Sequence, residues 1–160
     1  MNKYIVMGVS GCGKSSVGAD LAHALNIPFY DGDDYHSPEN VTKMQNGTPL
    51  TDADRQSWLE TLNGIVRQQK QLVLACSALK PEYRATLTKE CSDVHFVYLK
   101  GDFDTIWQRH QQRQGHYFNG SGMLLSQFDT LIEPTSDEAY IIDIDQSQSD
   151  VLSSILSMIT

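Results

Sequence analysis

The segment GVSGCGKS at residues 8–15 fits the pattern G-x-x-x-x-G-K-[ST], in which a glycine-rich backbone bends around phosphate groups. Glycines at this spacing let successive N–H groups point at one anion, because they adopt backbone angles that other residues avoid. Lys14 brings a positive charge to the outer phosphates, and the hydroxyl of Ser15 is suited to ligate Mg²⁺. The residues predicted to bind a nucleotide in this P-loop are Gly8, Val9, Ser10, Gly11, Cys12, Gly13, Lys14, Ser15 and Ser16.

An apolar run precedes this loop and a helical pattern follows it, which is the context that the motif requires. Similar runs and patterns alternate along the rest of the chain. The predicted strands are 4–7, 28–30, 72–76, 95–99 and 140–144. The predicted helices are 14–25, 38–46, 52–69, 81–90, 102–113, 123–131 and 150–159. This alternation predicts a single α/β domain over residues 1–160, with a five-stranded parallel sheet between two layers of helices.

Acidic residues follow the second predicted strand, at the edge of the sheet where such folds bind their ligands. The segment DGDDYH at residues 31–36 places Asp31 and Asp33 two residues apart. One acid is suited to hold Mg²⁺ through water, and the other to accept the proton of an attacking hydroxyl. A solvated turn rich in aspartate is the alternative. The position beside the P-loop favours the functional interpretation.

The third predicted strand is followed by CSALK at residues 76–80, a segment without Asp or Glu. The acid that usually serves the metal of a P-loop enzyme must therefore come from elsewhere, and Asp31 is the candidate. Lys80 and Arg84 are four residues apart, so both face a substrate or both are solvated. Arg55 stands near the start of a predicted helix, where a cation is unfavourable, so it faces an anionic substrate or only a nearby acid.

Two arginines, Arg109 and Arg113, end a predicted helix and are followed by GHYFNGSG at residues 115–122. A cation at a helix C-terminus has a structural explanation. Two of them beside a glycine-rich segment instead favour a lid, at about residues 109–125, that closes over phosphates and excludes water. The sequence offers no identifiable partner that would make His116 a general base.

The composition is that of an ordinary globular protein, with 40% hydrophobic and 20% charged residues in a chain of 160. The net charge of −8 argues against nucleic acids and anionic membranes as partners. Three cysteines without metal-type spacing are typical of reduced thiols in a cytoplasmic protein. We find no export signal or membrane-spanning run in the sequence, which supports the same expectation of a cytoplasmic location.

Seven segments of the chain carry a resemblance to a known family. They are MGVSGCGKS, DGDDYH, KMQNGTPLTDADRQSWL, CSALKPEYR, YLKGDFD, RQGHYF and SQFDTLIEP, beginning at residues 7, 31, 43, 76, 98, 113 and 126. With them the chain strongly resembles the gluconokinases, small P-loop kinases similar to shikimate and adenylate kinases. Many enzymes share the P-loop, whereas the combination of all seven segments is far more particular.

The resemblance implies transfer of the γ-phosphoryl group of ATP to the 6-hydroxyl of D-gluconate, with Mg²⁺ as cofactor. It implies a P-loop NTPase fold with a lid and a small substrate-binding helical region at about residues 33–65. Members of the family are often dimers, which makes a homodimer an expectation here.

The same resemblance assigns roles to residues. The implied catalytic residues are Lys14, Asp31, Asp33 and Arg113, and the implied metal ligands are Ser15 and Asp31. The P-loop, Arg109 and Arg113 would bind the nucleotide. The residues implied to meet the substrate are Asp33, Arg55, Lys80, Arg84 and His116.

Other functions are distinguishable from this one. A kinase for shikimate, a nucleoside monophosphate or another sugar acid is the main alternative, because the residues alone do not name the acceptor. A GTPase switch would carry a guanine-reading N-K-x-D segment, which this sequence lacks. A nucleotide-binding module would bind ATP and phosphorylate no acceptor.

Overall fold

The computed structural model describes residues 2–111 and 121–160. Its strands are β1 (Lys3–Met7), β2 (Phe29–Asp31), β3 (Leu72–Ala75), β4 (Val94–Lys100) and β5 (Ala139–Asp143). Its helices are α1 (Lys14–Leu25), α2 (Pro38–Gln45), α3 (Asp52–Gln68), α4 (Pro81–Leu87), α5 (Phe103–Gln111), α6 (Ser121–Thr130) and α7 (Gln148–Ile159). A 3₁₀ helix, Gly32–Tyr35, directly follows β2. Within the described ranges, no helix has the length and apolar composition that crossing a membrane requires.

The five strands form one parallel sheet in the order β2-β3-β1-β4-β5. The central strand, β1, pairs with β3 on one side and with β4 on the other, so that Ile5 lies opposite both Leu74 and Phe96. Parallel neighbours need long crossover connections, which the helices provide. The predicted α/β fold with a five-stranded parallel sheet flanked by helices is therefore confirmed.

The core lies on both faces of the central strands. Ile5, Leu74 and Val97 have no exposed surface, as expected for strands covered by helices on both sides. Such strands have continuous apolar sequences instead of an alternating pattern, which is why they were recognisable from composition. The resulting sheet holds the carboxyl ends of β1, β2 and β3 in fixed positions beside one another.

Several element boundaries differ from the prediction for identifiable reasons. Helix α4 ends at Leu87 instead of residue 90, and Glu90 has a left-handed φ of 59° that a helix cannot include. Helix α7 begins two residues early because the Ser147 hydroxyl accepts the Asp150 N–H at 3.1 Å and caps it. The 3₁₀ helix after β2 was not predicted.

Candidate active site

The P-loop turns sharply between β1 and α1, as the glycine spacing predicted. Gly11 and Gly13 have φ values of 84° and 94°, which lie in the left-handed region that favours glycine. Gly13 occupies the N-cap position of α1. Because glycine has no side chain to accept a hydrogen bond, the first N–H groups of the helix are left for another partner. An uncapped helix N-terminus beside a positive charge, here Lys14, is a site for an anion.

A hydrogen bond joins the P-loop helix to the end of β2. The hydroxyl of Ser15 donates to Oδ2 of Asp31 at 2.8 Å, and Oδ1 of Asp31 accepts the backbone N–H of Asp33 at 3.0 Å. The structure thus brings together the two residues that the resemblance implied as metal ligands. A hydroxyl and a carboxylate are oxygen donors of the kind that Mg²⁺ prefers, so this pair fits that ion.

A cleft opens beside these residues, between the P-loop, the turn after β2 and helix α3. Its polar and aromatic lining includes Lys14, Asp33, His36, Arg55, Trp58 and Gln127. The cavity measures about 20 Å³, which is room for about one water molecule.

Electrostatics distinguish the two acids. Burial raises the pKa of Asp33, and the carboxylates of Asp31 and Asp34 add to the increase, while the positive charge of Lys14 opposes it. Asp33 lines the cleft, whereas the carboxylate of Asp31 is occupied by Ser15 and by the turn. An acid with a raised pKa in a cleft is the better candidate for taking up a proton.

The guanidinium of Arg55 also lines the cleft and is held there by a small polar network. Its Nη1 donates to the hydroxyl of Tyr83 at 2.9 Å, and that hydroxyl donates in turn to Asp52. The ring of Tyr83 also lies 5.3 Å from the guanidinium carbon, at cation–π distance. The sequence left open whether Arg55 faces an anionic substrate or only a nearby acid. In the structure its side chain lines the cleft.

Helix α3, which carries Arg55, begins with a complete capping box. The Thr51 hydroxyl accepts the Asp54 N–H at 3.1 Å, and the Asp54 carboxylate accepts the Thr51 N–H at 2.9 Å. The same carboxylate binds Lys43 of α2 at 2.9 Å, and the side chain of Asn40 donates to the Asp54 carbonyl. These contacts fix α2 against the start of α3.

Lys80 and Arg84 are not among the described residues that line the cleft, and their contact with the substrate stays a prediction. Lys80 binds Asp52 at 3.2 Å and is not among the residues that line the cleft. Arg84 is 6% exposed, so it is not solvated either, and its guanidinium donates to the carbonyls of Ala78 and Ile132 at 2.8 and 3.1 Å. Arg84 thus ties the loop after β3 to the segment after α6.

Arg109, a predicted nucleotide ligand, donates from Nη2 to the carbonyls of Ile144 and Gln146. These carbonyls follow β5, so Arg109 lies at the carboxyl edge of the sheet, and its contact with the nucleotide stays a prediction. Arg113 and His116 lie outside the described residues, as does the centre of the predicted lid.

Sequence reasoning missed several residues that line the cleft, and His36, Trp58 and Gln127 are the ones with the most specific contacts. The Oε1 atom of Gln127 accepts the P-loop N–H of Ser10 at 2.7 Å, so α6 packs directly against the phosphate-binding loop. His36 and Trp58 stack with ring centres 4.1 Å apart. All three belong to segments that carried the family resemblance, which was the available signal for them.

The strand order, the loop after β1 and the Ser15–Asp31 pair together define the class of protein, which is a P-loop kinase. A family model described as shikimate kinase matches residues 10–160 of the chain. The thermoresistant gluconokinase of Escherichia coli (strain K12) is 44% identical over 162 residues, covering 98% of this chain and 92% of that protein. The chain belongs to the gluconokinase family.

Solved structures agree with this family. The crystal structure of a gluconokinase from Sinorhizobium meliloti 1021 matches with a TM-score of 0.91 and 38% identity, covering 98% of this chain and 90% of that one. A shikimate kinase from Aquifex aeolicus vf5 matches with a TM-score of 0.71 at 17% identity, covering 98% of this chain and 95% of that one, and shows the shared fold. The predicted resemblance is confirmed, and the protein is a kinase.

Proposed function

We propose that this protein transfers the γ-phosphoryl group of ATP to the 6-hydroxyl of D-gluconate, giving 6-phospho-D-gluconate. The observation that carries the proposal is the cleft itself, where Lys14, the proposed phosphate-binding cation, meets a half-buried acid, Asp33, and a second cation, Arg55. A sugar acid combines an anionic carboxylate with hydroxyl groups, so it suits a cleft with this mixture. The 44% identity to a gluconokinase supports the same acceptor.

Phosphoryl transfer depends on positioning and charge neutralisation more than on covalent chemistry by the protein. In this proposal the P-loop N–H groups and the start of α1 hold the phosphates of ATP, and Lys14 neutralises charge on the outer ones. Ser15 and Asp31 hold Mg²⁺, which shields the negative charge of the phosphates when it is bound. Arg109 and Arg113 are the proposed lid cations.

The acceptor is oriented from the opposite side. Asp33 accepts a hydrogen bond from the reacting hydroxyl and takes its proton as the new phosphate ester forms. The guanidinium of Arg55 binds the carboxylate of the acid, because its planar fork of donors matches a carboxylate. Lys80 binds Asp52, Asp52 accepts a hydrogen bond from Tyr83, and Tyr83 accepts one from Arg55. The proposed role of Lys80 is therefore to support Arg55. His116 matches a motif of the family and is also proposed to contact the substrate.

Purified protein tests the proposal through ADP release with ATP and Mg²⁺ over a panel of acceptors. We expect D-gluconate to give the highest kcat/KM, above L-idonate, shikimate and AMP. A better response to shikimate or AMP would overturn the named acceptor while leaving the kinase class intact. The homodimer and the cytoplasmic location stay predictions, and sedimentation and cell fractionation test them.

A further inference from the structure

The imidazole of His36 lies in the cleft with Lys14, Asp33 and Arg55, and its side chain is only 3% exposed. In the part of the chain that the structure describes, its Nδ1 atom is buried and has no hydrogen-bond partner. A buried polar atom without a partner costs free energy, so folded proteins keep few of them and each calls for an explanation. His36 is one of the residues that line the cleft where the acceptor is proposed to bind.

The plane of the imidazole is fixed by its neighbours. It stacks on Trp58 with ring centres 4.1 Å apart and an angle of 18° between the planes. The indole is itself anchored, because its Nε1–H donates to the carbonyl of Gly32 at 2.8 Å. His36 is therefore held by packing, and its ring nitrogens are left for interactions within the cleft.

The ring is neutral at physiological pH. Burial and the positive charges of Arg55 and Lys14 lower the pKa of His36 to about 4, against a smaller opposing effect of Asp31. A neutral imidazole carries one N–H donor and one nitrogen lone pair. The Nε2 atom lies 3.7 Å from Oδ1 of Asp33, which is beyond hydrogen-bond distance, and the negative charge of that carboxylate favours the proton on Nε2. Nδ1 is then an acceptor.

An acceptor atom in this cleft needs a donor from the ligand. Carboxylate and phosphate oxygens have no proton to donate, and they are suited to Lys14 and Arg55 instead. A hydroxyl group donates one hydrogen bond while accepting others. We propose that Nδ1 of His36 accepts a hydrogen bond from a hydroxyl of the polyol chain, which makes His36 a specificity-determining residue. The inference rests on the proposed gluconokinase function and assigns a residue to the hydroxyl part of that substrate.

Three substitutions test the contributions of Nδ1, of Nε2 and of the stacked ring separately. His36→Asn places an amide close to the Nδ1 position, His36→Gln places one close to Nε2, and His36→Phe keeps a ring on Trp58 without polar atoms. We expect His36→Phe and His36→Gln to raise KM for D-gluconate by about 10- to 100-fold and His36→Asn to raise it less. KM for ATP should stay unchanged in all three.

Deoxy analogues identify the hydroxyl. The wild-type enzyme is assayed with D-gluconate lacking its 2-, 3-, 4- or 5-hydroxyl, and we expect one analogue to lose activity sharply. In the His36→Phe variant that same analogue should perform as well as D-gluconate, because the partner of the missing hydroxyl is already gone. Equal sensitivity to every analogue in the variant and the wild type would overturn the assignment.

Thermal unfolding distinguishes recognition from a structural role. Because His36→Phe removes the unpartnered nitrogen and keeps the stacking, we expect its Tm to equal or exceed that of the wild type. A lower Tm together with weaker ATP binding in all three variants would show that His36 serves the fold, which contradicts the inference. A wild type that does not phosphorylate D-gluconate contradicts the proposed function, whereas an active wild type with unchanged acceptor kinetics in His36→Phe contradicts only the role of His36.

Discussion

The hydroxyl of Ser15 and the carboxylate of Asp31 are joined by a 2.8 Å hydrogen bond between the helix after the P-loop and the end of β2. Asp31 ends β2, whereas Ser15 lies in α1, the helix that follows β1, and β3 lies between these two strands in the sheet. Through this bond Asp31 lies beside Ser15, its partner at the proposed metal site, whereas Asp33 lines the cleft. The two acids therefore have different proposed tasks, although they are two residues apart.

Replacement of Asp31 by Asn tests its proposed role toward the metal. The amide removes a negative charge, so we expect the Mg²⁺ concentration for half-maximal activity to rise and kcat to fall by about 100-fold. Asp34→Asn is the matched control, because it is an exposed acid of the same turn and should leave both values unchanged. Titration of activity with Mg²⁺ measures the difference, and equal effects of the two variants would contradict the assignment.

Lys14→Met removes the positive charge of the P-loop and keeps a side chain of similar length. We expect turnover to fall by about 1000-fold or more, because the charge that develops on the transferred group is no longer neutralised. The Tm should change little, and the exposed Lys70→Met variant should retain full activity. Retention of wild-type turnover in Lys14→Met would refute the role of Lys14.

Tyr83→Phe tests the network that holds Arg55. The variant loses the hydroxyl that accepts the Arg55 N–H at 2.9 Å but keeps the ring beneath the guanidinium. The variant also loses the hydrogen bond from this hydroxyl to Asp52, and because Arg55 itself loses one hydrogen bond we expect KM for D-gluconate to rise by about 3- to 10-fold with KM for ATP unchanged. Tyr140→Phe on β5 is the control. An equal increase of KM for both substrates would indicate a general loss of structure instead.

The buried imidazole of His36 predicts a pH dependence of stability. Its pKa is about 4 in the folded protein and about 6.5 in an unfolded chain, so between these values the unfolded chain binds more protons. The free energy of unfolding therefore decreases as the pH falls from 6.5 toward 4, and protonation of His36 in the unfolded chain accounts for at most about 3 kcal/mol of this decrease. The raised pKa of Asp33 acts in the opposite direction.

Comparison of the wild type with His36→Phe isolates this contribution, since Asp33 is present in both. Urea unfolding at several pH values between 4 and 7 should give a steeper loss of stability for the wild type. Parallel curves for the two proteins would show that the imidazole is not protonated on unfolding in this range.

Features encoded locally were predictable from the sequence. The P-loop depends on glycine spacing next to an apolar strand, and the sheet depends on continuous apolar runs such as that of β1. The acids Asp31 and Asp33 were found because ligands of parallel sheets bind where strands end. The capping box at Thr51 also follows from adjacent residues.

Contacts between distant residues were not predictable in the same way. Arg84 binds the carbonyl of Ile132, 48 residues further along, and no local pattern indicates that partner. Lys80 precedes the first residue of α4, so the spacing rule for helix faces did not apply to its pairing with Arg84. The stacking of His36 on Trp58 likewise exists only once the turn after β2 packs on α3.

The most direct test of the account is ³¹P NMR of the reaction of purified protein with ATP, Mg²⁺ and D-gluconate. We predict one new phosphate ester, on the 6-hydroxyl, appearing in equal amount with ADP and missing in the Lys14→Met variant. ADP formed with free phosphate and no ester, or an ester on a hydroxyl of D-gluconate other than the 6-hydroxyl, would contradict it.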